Sequence, residues 1–149
     1  MTYRVRPVTV TTTVPAQPEA VFAYISDTRN DPEWCPNVTD VRQVRGEGVE
    51  LGAGFGFRQT VETRGRVLDS DVEVEVVELG ERRVRWRVED RFQVRDVLLE
   101  VEPEANGSKV IQTTTAAFKR KPGLARLAYP MLARQTFKKQ FQRLADRFS

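Results

Sequence analysis

Hydrophobic and polar residues alternate through most of this chain and switch to helical spacing in two places. Val8, Val10, Thr12 and Val14 share one face of an extended segment while Thr9, Thr11 and Thr13 share the other, the period-two pattern of a strand with one buried face. Pro15 and Pro18 end it. Pro18 suits the first turn of a helix, where its missing N–H costs nothing, and Glu19 complements the positive end of the helix dipole. Val21, Phe22 and Ile25 give that helix a buried stripe. A second short helical segment is expected from Asp31 to Cys35, with Asp27 or Asn30 as its cap.

From Val38 to Phe118 the pattern predicts six more strands: Val38 to Arg45, Phe55 to Arg64, Val67 to Glu78, Arg83 to Glu89, Phe92 to Glu102 and Lys109 to Phe118. Gly46 and Gly48, Arg64-Gly65, Gly80-Glu81 and Asn106-Gly107 punctuate them as turns. Val72, Val74 and Val76 alternate with glutamates, and Val84, Trp86 and Val88 with arginines. Pairing Val74 with Trp86 would set Glu73 and Glu75 beside Arg87 and Arg85 on the outer face. After Pro122-Gly123 the chain reads as helix to its end. Leu124, Leu127, Ala128 and Met131 share one side of it; Phe137, Phe141, Leu144 and Phe148 share another, with Pro130 between. A bend at Pro130 is expected, with the first half over a cavity and the second packed as core.

The stretch Val10 to Pro36, VTTTVPAQPEAVFAYISDTRNDPEWCP, carries a family resemblance. A first strand, then V-P-A-x-P-E-x-V-F, an Asp, and P-E-W-x-P resemble the entry to the START-like, or SRPBCC, superfamily, and within it the polyketide cyclase/dehydrase and lipid-transport branch. In motif the resemblance covers Val14 to Pro36; in order of elements it covers nearly the whole chain. It implies a single domain over residues 1–149 with an α+β helix-grip fold of the birch-pollen-allergen type. A seven-stranded antiparallel curved sheet would grip the long C-terminal helix around an apolar cavity, with two short helices between the first two strands. The implied function is binding, or transport, of a hydrophobic, ring-containing small molecule. The alternatives are a cyclase or dehydrase acting on a polyketide-like substrate, and a peripheral membrane or protein-interaction domain.

The chain has 149 residues, enough for one core with room for a pocket, and no histidine. That absence excludes Ser-His-Asp and Cys-His nucleophile activation and leaves a metal only Cys35 and carboxylates, so no metal site, metal chemistry or cofactor is expected. Gly52-Ala53-Gly54-Phe55-Gly56-Phe57 fails as a phosphate loop, because the third glycine of G-x-G-x-x-G falls at Phe57 and a strand follows. Cys35 sits beside Asp31 and Glu33, which oppose a thiolate. One cysteine, no apolar run of membrane-spanning length and no apolar segment near the start suggest a cytoplasmic protein. Residues 119–149 hold nine Lys or Arg against one acid, Asp146. Because Phe137, Phe141 and Phe148 are needed to close the sheet, these charges read as a solvated face, so no nucleic-acid partner and no membrane contact is expected. Nothing in the pattern specifies an oligomeric state.

Parity picks out the cavity. Phe57, Gln59 and Val61 share a face, as do Val74 and Trp86. With Trp34 from the W-x-P turn and Leu127 and Met131 from the last helix, they are the expected ligand-binding wall, beside the small Ala125, Ala128 and Ala133. Between Phe92 and Val101 the alternation changes phase: a regular strand buries Arg95 or Asp96, whereas a β-bulge turns both outward. Arg95, Asp96, Gln59 and Tyr129 are the polar groups available for catalysis.

Overall fold

Alternating valines and threonines over Val8–Val14 make strand β2, with Val8, Val10 and Val14 buried, Thr12 half-buried and Thr9, Thr11 and Thr13 exposed. The computed structural model describes residues 3–149. Ahead of β2, the two-residue β1, Tyr3–Arg4, pairs with the same neighbouring strand beyond a break that contains Pro7. Two residues carry no periodicity, so the eighth strand had no signal. Helix α1, Pro18–Ile25, starts on its proline and buries Val21, Phe22 and Ile25. Asp27 then accepts a hydrogen bond from the Arg29 backbone N–H at 3.0 Å and opens a 3-10 turn over Thr28–Asn30. This turn runs into α2, Asp31–Trp34.

The remaining strands are β3 (Val38–Arg45), β4 (Gly56–Thr63), β5 (Arg66–Leu79), β6 (Arg83–Glu89), β7 (Gln93–Glu104) and β8 (Gly107–Phe118). All pair antiparallel in the order β8-β7-β6-β5-β4-β3, with β1 and β2 both on the free side of β8. The chain therefore meanders from β3 to β8 while α1 and α2 carry it between the two edges. Arg64 and Gly65, with φ of +53° and +75°, form the tight β4–β5 turn. Gly107 has φ +146°, and a Cβ there would collide with the Val14 carbonyl, so the β7–β8 turn requires glycine.

The β5–β6 register differs from expectation by two residues. Val76, not Val74, faces Trp86, and an extra residue, Val77, lies between Val76 and Glu78 on the turn side. Parity survives, but Glu75 faces Arg87 in place of Arg85, and Glu73 lies opposite Glu89 and meets Arg58, at 3.8 Å. Further register shifts fall between Gln59 and Val61 and between Val38 and Asp40. Bulges of this kind bend strands and re-aim side chains.

Helix α3, Ala125–Arg147, contains Pro130 and lies against β2 and α2. Phe137, Phe141 and Leu144 are buried; Trp34 stacks on Phe141 with centroids 6.5 Å apart, and Phe148 meets Tyr24 edge-on. Arg147 binds Glu33 at 2.7 Å and ties the end of α3 to α2. The first half behaves otherwise. Leu124 and Leu127 are 83% and 79% exposed, and Met131 and Leu132 are also exposed. Tyr129 packs edge-on Phe118 and Ala133 is buried, but the leucine side of this half has no sheet beneath it.

Candidate functional site

A cavity of about 190 Å³ lies between the inner face of the sheet, α2 and the second half of α3. Strand parity supplies most of its wall: Gln59 and Val61 from β4, Val74 from β5, Trp86 and Val88 from β6, Arg95 and Val97 from β7, and Gln112 from β8. Asp31, Trp34 and Cys35 close it from α2, and Thr136, Phe137 and Gln140 from α3. Val38, Gln59 and Val61 flank the register shifts that bend β3 and β4 around this end of the sheet.

Of the residues singled out from the sequence, Trp34, Gln59, Val61, Val74, Trp86 and Arg95 come together in this wall. Phe57 is 1% exposed but belongs to the packed core outside it. Leu127 and Met131 do not line the cavity, since the half of α3 that carries them projects beyond the sheet; one turn and more downstream, Thr136, Phe137 and Gln140 take that place. Tyr129 is half-buried against Phe118 and is not part of the wall.

Strand β7 pairs with β6 and β8 in unbroken register from Gln93 onward, so there is no bulge. Arg95 shares the inward parity of Val97, Leu99 and Val101, while Asp96 points outward to Arg85, 3.3 Å away. Val94 is then half-buried and Phe92 is exposed in the turn. Arg95 has no carboxylate partner among the described residues, and its Nε is buried without an acceptor. The Nε1 atoms of Trp34 and Trp86 are likewise buried and unpartnered.

At the α2 end the Gln59 amide donates to Asp31 Oδ2 at 2.6 Å. Burial of the carboxyl pushes Asp31 up to about 8; the Gln59 hydrogen bond works against this and the charge of Asp27 adds to it. Asp31 is therefore largely a neutral acid at pH 7. Burial, then the nearby Asp31, raises the Cys35 thiol well above its usual range, so it is not a nucleophile at neutral pH. From sequence, Asp31 reads as part of the short helix and as an acidic neighbour of Cys35, with no sign that it faces the cavity. Its position directly before Pro32, at the start of a four-residue helix, fixes the side chain toward β4, and no periodicity reports that.

Against this geometry stand the similarities to known proteins. Residues 6–149 match the family model described as polyketide cyclase/dehydrase and lipid transport. The chain belongs to this family. No curated protein matches the sequence significantly. Among solved structures, a START superfamily protein from Mycobacterium smegmatis superposes with a TM-score of 0.74 at 16% identity, over 95% of this chain and 96% of that one. The di-domain aromatase/cyclase StfQ of the steffimycin biosynthetic pathway gives 0.76 at 15% identity, over 98% of this chain and 50% of that one. Ara h 8.0201 gives 0.67 at 16%, over 95% and 98%. At these identities the likeness is one of fold: a curved antiparallel sheet around a long C-terminal helix.

Proposed function

We propose that the protein binds a hydrophobic, ring-bearing small molecule in the cavity between the sheet and α3. The observation that carries this reading is the composition of the wall: two tryptophans, a phenylalanine and several valines around a few polar groups, the usual make-up of a small-molecule site. A cavity of about 190 Å³ suits one ring, or two small ones, since an apolar void of about 150 Å³ accepts benzene. Native mass spectrometry of the purified protein tests this: a bound small molecule released on unfolding is the expected result, and its masses should report an unsaturated or aromatic compound. A protein that carries no ligand and takes up no ring compound would overturn the reading.

The polar residues of the same wall favour a second, catalytic reading, that of a polyketide cyclase or dehydrase. An Asp31 carboxyl titrating near neutrality is matched to proton transfer, and a guanidinium such as Arg95 would stabilise an enolate formed by loss of a proton next to a carbonyl. Its test is turnover of a poly-β-keto thioester. Products of closure or dehydration that vanish in Asp31→Asn and Arg95→Met support it; unchanged substrate at high enzyme concentration contradicts it.

A further inference from the structure

The cavity has two polar poles, and they differ in charge. At one, Arg95 brings a guanidinium to the apolar wall with Nε buried and no carboxylate opposite. At the other, the Asp31–Gln59 pair is saturated on Oδ2 by the Gln59 amide. With Oδ2 accepting from the Gln59 amide, Oδ1 is the oxygen left to carry the acid's proton and to donate to a ligand oxygen. Between the poles lie only apolar surfaces from β5, β6 and β7, namely Val74, Trp86, Val88 and Val97.

Their separation follows from the sheet. Gln59 lies on β4 and Arg95 on β7, three strand-to-strand steps apart, roughly 14 Å between backbones, and less between side chains that converge on a concave face. Gln59 and Arg95 reach inward from these two strands, and a single ring substituted at opposite ends would lie against the apolar wall between them. Because Asp31 is protonated at neutral pH and the Cys35 thiol is neutral, nothing in the wall cancels the charge of Arg95. Arg95 is half-buried with its Nε shielded from water and lacking an acceptor, and an anionic ligand would supply both that acceptor and a counter-charge.

Resting on the reading that the cavity takes a ring compound, we propose that its occupant is a small ring carboxylic acid bearing a hydroxyl or keto oxygen at its far end, with the carboxylate on Arg95 and the second oxygen at Asp31 and Gln59.

Isothermal titration calorimetry at pH 7 with 4-hydroxybenzoate, its neutral methyl ester and benzoate tests this. The acid is expected to bind at least tenfold more tightly than the ester, and severalfold more tightly than benzoate. Arg95→Met should bring acid and ester to the same affinity, whereas Arg95→Lys, which keeps the charge, should retain most of the preference and shows that a loss in the methionine variant is not misfolding. Asp31→Ala should erase the difference between 4-hydroxybenzoate and benzoate and leave the preference for acid over ester. Equal or tighter binding of the ester by the native protein would overturn the proposal while leaving the ring-binding reading intact. Binding of none of the three would overturn both.

Discussion

Asp31 makes the chemistry of the cavity depend on pH. Its folded-state value of about 8 lies above the ordinary carboxyl value, so the folded protein holds a proton that the unfolded chain releases. Stability from this group is full below about pH 4, falls as pH rises toward 8 and is level above it. Asp31→Asn keeps an acceptor for Gln59 and removes the titration. The variant is expected to be more stable than the parent at pH 9 by about 2 kcal/mol or more, with little difference near pH 4, in urea unfolding followed by circular dichroism. Equal stability at pH 9 would show that the carboxyl is ionised at no cost. At this scale the sequence was uneven. Gln59, Val61, Val74 and Trp86 were legible because strand parity dictates the face a side chain occupies. Arg95 was legible only as one of three outcomes, since Phe92 and Val94 look as hydrophobic as the inward residues; the unbroken register of β7 decides it.

Secondary structure was the most readable level, because valine alternation, Pro18 and the glycine turns each act locally. The β7–β8 turn illustrates the limit of tolerance. Gly107→Ala would strain a positive φ and drive a methyl group into the Val14 carbonyl, backbone against backbone. A loss of about 2 to 3 kcal/mol in chemical denaturation is expected; a change within error would mean that the turn and the end of β2 separate easily. Helix α3 shows what a helical period cannot report. Both of its apolar stripes are correctly helical, yet only Phe137, Phe141 and Leu144 find a sheet to cover. Which half of a long helix docks depends on where the preceding strand releases the chain, a property of the assembled sheet.

At the scale of the whole molecule, the undocked half of α3 offers a test of the expectation that the basic C-terminal segment makes no membrane contact. Leu124, Leu127, Met131 and Leu132 are exposed beside Lys119, Arg120, Lys121 and Arg126, so the apolar stripe is consumed by the core only in the second half of the helix. Contiguous exposed apolar side chains rimmed by cations suit an anionic surface. Sedimentation with vesicles containing phosphatidylglycerol should pull down the protein at low salt, and Leu127→Asp with Met131→Asp should release it; equal recovery with neutral vesicles, or none with either, would show that the patch has another use. No helix is long and apolar enough to cross a membrane among the described residues.

The space of about 190 Å³ between sheet and helix is proposed as a ring-binding site. Val97 faces it from β7, between Trp86 and Thr114. Trp34 and Trp86, the chain's two tryptophans, both line the cavity and report on it directly. Titrating the protein with para-cresol while following their fluorescence should give a saturable change with one site per chain, and Val97→Phe should abolish it while the circular dichroism spectrum is retained. A non-saturable response, or one that survives in folded Val97→Phe, would contradict the account.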